Sequence, residues 1–236
     1  LREIFAELDP DVIVEDNVPC FPAIVTPGKP WVRIISCNPA ELKDAAVPPV
    51  FSGYPTADRE GWEEFRAEYR RTHGPMWQEF DEFVRDSGAP GLPDGPFGPE
   101  FIHESPWLNL YLYPAEADYV PERPLAPTWH RLDSCVRATE APFQLPEHLA
   151  RPSGRLIYLS LCSLGSADVE LMQRLIDILG RTDHRVIVSK GPQAELLTLH
   201  DNMWGEEFVP QPSILPLVDL VITHGGNNTV TECFYH

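Results

Sequence analysis

Val218-Asp219-Leu220-Val221-Ile222-Thr223-His224-Gly225-Gly226-Asn227-Asn228-Thr229-Val230-Thr231-Glu232 is the stretch from which the fold is read. The apolar run Leu220 to Ile222 has the length of a buried parallel strand, and after His224 and two glycines Asn227-Asn228-Thr229 opens a helix. Glycines let backbone approach a ligand closely, and the unpaired N–H groups and positive dipole end of a first helical turn favour phosphate or diphosphate. His224 stands at the mouth of the turn. Asn228 and Thr229 add an amide and a hydroxyl, and Glu232, one turn on, can accept hydrogen bonds from sugar hydroxyls.

Two glycines between a strand and a helix form a weak signal alone, but the residues upstream strengthen it. Phe208-Val209-Pro210-Gln211 comes first, then a short helical patch at Ile214-Leu215, then the strand. This ordered set resembles the nucleotide-sugar signature of the family 1 glycosyltransferases, UDP-dependent enzymes that include a bacterial macrolide and antibiotic type. The resemblance implies that Phe208, Val209 and Gln211 cover the base, with Phe208 in place of the usual Trp. It further implies that His224, Gly225, Gly226, Asn228 and Thr229 cradle the diphosphate and that Glu232, eight residues after His224, holds the ribose.

The implied fold class is α/β of GT-B type: two Rossmann-like domains with parallel sheets facing a cleft. Local patterns agree with alternating strands and helices. In the first half they give a helix at Leu1–Leu8, a buried strand around Val12–Val14, a short helix or turn at Phe21–Val25, and strands at Pro30–Ser36, Trp107–Tyr113 and Trp129–Leu132. Between Arg59 and Arg85 the text is helical and broken near His73-Gly74-Pro75, with Trp62, Phe65, Tyr69, Trp77, Phe80, Phe83 and Val84 on recurring faces. Those rings are core, or some of them line an apolar acceptor cleft. Pro142, Pro146 and Pro152 place an interdomain linker at 141–153, between a partial acceptor-binding domain at 1–140 and a partial nucleotide-sugar-binding domain at 154–236.

The second domain opens with the strand Arg155–Ser160 and a turn at Cys162-Ser163-Leu164-Gly165. In the resembled family that turn carries Gly where Cys162 stands, and Ser163 is the residue carried over as a nucleotide-facing hydroxyl. A helix from Asp168 to Leu179 and a strand at Arg185–Ser189 complete a crossover unit. The text reads as a piece of the family's pattern truncated at both ends, since it opens at a mid-domain segment and stops at His236 inside a helix.

Composition narrows the partners. The chain has 236 residues, 43 % hydrophobic, with 36 acidic residues against 18 basic ones for a formal charge of −18. That charge disfavours nucleic acid and anionic membranes and otherwise serves solubility. Cys20, Cys37, Cys135, Cys162 and Cys233 are odd in number and widely spaced, so the expectation is reduced thiols in a cytoplasmic protein. Asn227-Asn228-Thr229 formally matches a glycosylation acceptor and is discounted at a phosphate turn. No transmembrane stretch is expected, and no metal or other cofactor, since His224 lacks a second ligand at helical spacing.

The reading is therefore an inverting glycosyltransferase that moves a hexose from a UDP-sugar, or a thymidine diphosphate sugar, to a hydroxyl of a small hydrophobic acceptor. The resemblance makes Asp16 the acid that orients a catalytic His. None of His73, His103, His130, His148, His184 or His200 stands in the base's motif, so the base is assigned outside this chain, which is expected to be inactive alone. A non-catalytic nucleotide-sugar-binding helper of a partner transferase and a nucleotide-sugar epimerase of the same architecture are the alternatives.

Overall fold

The computed structural model describes residues 1–36, 38–120, 124–138, 141–150 and 154–236, with Ser163 and Leu164 described by their helical backbone alone. Cys37 and the linker positions 151–153 lie outside the described residues. The chain divides into two compact units, Leu1–Asp133 and Ser134–His236.

In the first unit the elements follow as α1 (Arg2–Leu8), β1 (Ile13–Glu15), α2 (Pro22–Val25), β2 (Trp31–Ile35), α3 (Arg59–Asp86), the hairpin β3 (Asp94–Gly95) and β4 (Gly98–Pro99), β5 (Leu108–Tyr111) and β6 (Trp129–Arg131). The main sheet runs β1-β2-β5-β6 with every pair parallel. The strand expected to be buried at 12–14 is instead the sheet's edge, with Ile13 and Glu15 inward and Val12 and Val14 exposed. An edge strand needs only one apolar face, and the period-2 alternation supplies it.

The helix α3 starts at Asp58, whose side chain accepts from the Gly61 N–H at 3.0 Å, and continues unbroken for 28 residues. A break at Gly74-Pro75 was the expectation. Pro75 removes one backbone hydrogen bond, but its φ is helical, and Trp62 before it and Trp77, Phe80 and Val84 after it are held by core packing, which decides the outcome. The aromatic stripe divides by depth. Trp62 is fully buried, whereas Phe65 and Tyr69 line a hollow with Val47, Val50 and Phe97.

The second unit is built from β7 (Leu156–Ser160), α4 (Cys162–Gly165), α5 (Val169–Leu179), β8 (Arg185–Ser189), β9 (Met203–Glu206), α6 (Gln211–Ile214), β10 (Leu220–Thr223) and α7 (Asn227–Tyr235). Its parallel sheet has the order β10-β7-β8-β9. Every residue of β7 is buried because both sheet faces are covered. Ile157 and Leu159 pack with Met172 and Ile176 of α5 on one face, and Leu156 and Tyr158 pack with Leu149 and Ile214 on the other.

Two expectations change here. Part of the segment read as linker is core: Leu149 is fully buried, Phe143 and Leu145 pack beside it, and the Phe143 and Trp204 rings lie 5.3 Å apart. And β10, read as a buried strand, pairs among the described residues with β7 alone and has Leu220 exposed.

Asp81 ties α3 to the loop after it. Its carboxylate accepts from the buried Leu92 N–H at 2.6 Å and from Arg85 Nε at 2.7 Å, and the Arg85 guanidinium holds it below the usual carboxylate range. Asp81→Ala strands the Leu92 amide and is expected to cost about 2 kcal/mol at pH 7. A lowered carboxyl stabilises above the unfolded value of about 3.9 and loses that contribution as pH falls through the folded value. The gap between urea melts of wild type and D81A should therefore hold above about pH 4 and narrow as pH falls below it; a constant gap would contradict the assignment.

Candidate functional site

Strand order determines where the candidate residues meet. From β7 the sheet proceeds through β8 to β9 on one side, then the chain returns to place β10 on β7's other side. The chain leaves β7 for α5 on one face of the sheet and leaves β10 for α7 on the other, and the carboxyl ends of two such strands are the general ligand position in open parallel sheets. Ser160 and Thr223, the last residues of the two strands, are register partners. The Cys162–Gly165 turn and the His224–Gly226 turn thus start side by side.

The second turn is open. Gly225 has φ +82°, which a side chain adopts only with strain, and a Cβ there would meet nothing within 4 Å. The His224 ring lies over Gly226, its Nε2 2.4 Å from where a Cβ would stand. His224 and Asn228 are exposed, and no side chain caps α7. Among the described residues the amides of Gly226, Asn227 and Asn228 have no protein acceptor, so an anion can take them. Phe208 is 68 % exposed with a free face, and Val209 packs into the core behind it.

Three expected ligand contacts are turned inward. The Glu232 carboxyl group, read as a ribose holder, is in a residue 1 % exposed. It accepts from Gln211 Nε2 at 2.6 Å and from Arg137 Nε at 2.8 Å. Gln211, expected beside the base, is buried and also accepts from the Tyr158 hydroxyl at 3.1 Å, while Thr229 Oγ1 lies 3.3 Å from its Nε2. Burial of Tyr158 raises its hydroxyl pKa, so it is a donor here. The set pins β7, α6 and α7 together. A buried carboxylate without such partners would not be tolerated. Sequence reading missed Arg137 altogether, since nothing in Cys135-Val136-Arg137-Ala138 signals a partner 95 positions away.

The turn after β7 carries Cys162 where the resembled family has Gly. Cys162 has φ +50°, a conformation natural to glycine, so the backbone keeps a glycine-like path with a thiol on it. The Ser166 hydroxyl bonds the Cys162 carbonyl, and Gly191, at φ +73°, leaves the space that Ser166 fills. Ser163 lies in α4 at this turn, but its side chain is outside the described residues.

In the first unit Asp16 is exposed just beyond β1, and the Ser36 hydroxyl, just beyond β2, lies 3.1 Å from both of its oxygens. Ser36 is a second residue that the sequence did not single out. Its signal is its place one residue past a strand that pairs in parallel with β1. Among the described residues no group of three His, Cys, Asp or Glu could hold a metal, and no helix is long and apolar enough to cross a membrane.

Known structures share this architecture. No family model and no curated protein matches the sequence. The chain superposes on the glycotransferase of kitacinnamycin with a TM-score of 0.64 at 18 % identity, over 98 % of this chain and 56 % of that one. It matches the glycosyltransferase SnogD from Streptomyces nogalater with 0.52 at 20 %, over 98 % and 53 %. It also matches the spinosyn rhamnosyltransferase SpnG, solved with thymidine diphosphate, with 0.52 at 18 %, over 98 % and 52 %. The fold is that of the GT-B glycosyltransferases, and the chain spans about half the length of these structures.

Two substitutions probe the geometry. Cys162→Gly relieves a left-handed conformation worth about 1–2 kcal/mol, part of which is returned as extra unfolded-state entropy. A net gain of about 0.5–1 kcal/mol in urea denaturation is expected, and a loss would show that the thiol makes a contact the backbone needs. Gln211→Leu takes the acceptor from the Tyr158 hydroxyl and leaves Glu232 with Arg137 alone, and should cost about 2–3 kcal/mol in the same measurement.

Proposed function

We propose that this chain supplies the donor-binding half and part of the acceptor half of an inverting glycosyltransferase. The enzyme would move a hexose from a pyrimidine nucleoside diphosphate, read from the sequence as UDP, to a hydroxyl of a small hydrophobic acceptor. One observation supports this above the others: an uncapped helix start with unpaired amides opens beside a glycine-like turn at the reversal of strand order. That arrangement suits a diphosphate leaving group, whose charge rises as the glycosyl bond breaks.

The other assignments follow from the same placement. His224 and Asn228 bond the phosphates, and Phe208 stacks on the base. Asp16, steadied by Ser36, orients the histidine that deprotonates the acceptor, with that base outside this chain. The hollow formed by Phe65, Tyr69, Val47, Val50 and Phe97 suits an apolar acceptor. Free Cys20, Cys135, Cys162 and Cys233 fit a reducing cytoplasm.

The test is calorimetric titration of the chain with UDP and TDP. Binding of one or both is expected, weakened about 10-fold by His224→Ala through loss of a hydrogen bond to a charged group. Absence of binding by either nucleotide would overturn the reading, and TDP binding without UDP would correct the donor.

A further inference from the structure

Glu232, expected at the ribose, is buried and paired in this structure, and the residue that pairs with it offers another role. Arg137 gives Nε and Nη2 to the two Glu232 oxygens, at 2.8 and 3.4 Å, yet its own side chain stays 61 % exposed. The carboxylate beneath cannot turn freely, since Gln211 Nε2 holds it at 2.6 Å and the Tyr158 hydroxyl holds Gln211. A flexible cation is thus mounted on a buried, rigid support with its outer N–H groups in solvent.

Position points that cation at the anion turn. Glu232 and Asn228 are four residues apart on α7, so their Cβ atoms are about 6 Å apart on one helix face. Asn228 belongs to the first turn, where the free amides are. A fixed positive charge beside the turn would add to the helix dipole and the free amides in holding a diphosphate.

We propose that Arg137 is a ligand-contacting residue of the donor site, a fixed cation for the phosphates of a nucleoside diphosphate, and that Glu232 is the positioning residue that mounts it. This rests on the donor-site reading given above. The opposite role is also defined: if Arg137 merely occupies Glu232 until a ribose displaces it, removing Arg137 must favour binding.

The sign of the effect separates the two. UDP, TDP and uridine are titrated against wild type, R137Q, R137K and E232Q, with thermal melting of each as the folding control. R137Q is expected to weaken whichever diphosphate wild type binds by about 10- to 50-fold, the range of a hydrogen-bonded ion pair to phosphate, with uridine changed less than about 2-fold. R137K should recover part of the loss, because it keeps the charge and forfeits the fork. E232Q should weaken the diphosphate in the same direction as R137Q. Unchanged or tighter diphosphate binding by folded R137Q overturns the proposal while leaving the donor-site reading intact, as does an equal loss for uridine. Wild type that binds neither diphosphate overturns the donor-site reading itself, and the proposal with it.

Discussion

Burial of β7 on both faces is the constraint on which the second unit depends. A strand with no exposed residue must be paired at both edges and covered on both sides. Pairing with β8 satisfies one edge, and the chain satisfies the other only by bringing β10 back across the sheet. The reversal of strand order that makes a ligand crevice is therefore also what completes the core. Each connecting turn then emerges where its backbone amides cannot be used by the sheet.

The polar bracket under α7 follows from the same layout. Tyr158 points to the face opposite Ile157 and Leu159, toward α6 and α7, and its hydroxyl needs a partner in an apolar layer. Gln211 meets that need and transmits it to Glu232, whose charge then needs Arg137. Taking a carboxylate out of water costs several kcal/mol, and such groups persist where each remaining lone pair is engaged. Geometry is gained in exchange: α7 is fixed against β7 in both height and rotation, which a layer of aliphatic contacts would leave looser.

How much of this was legible in the sequence depended on the range of the interaction. Local grammar was readable: the helix from Asp168 to Leu179, the strand at Arg185–Ser189, the glycines after Thr223. Burial was harder, because an apolar triplet such as Leu220–Ile222 reads alike in the centre and at the edge of a sheet. The strand Met203–Glu206 went unseen since Trp204-Gly205-Glu206 has no alternation, and it forms because Gly205 admits the Val188 carbonyl close to its backbone. The protein partners of Glu232 were not legible. Its partners, Gln211 and Arg137, lie 21 and 95 residues away, and no periodicity reaches across such a separation.

Net charge and site charge act over different distances, and this reconciles an acidic chain with an anionic ligand. At physiological ionic strength the Debye length is about 8 Å, so most of the 18 surplus negative charges are screened from a ligand at the turn. An anion at the turn would meet the uncapped helix end and its unpaired amides first, with Arg137 held on Glu232 in the same helix. An acidic surface disfavours longer polyanions more than small ones, because many phosphates extend beyond any one screened turn.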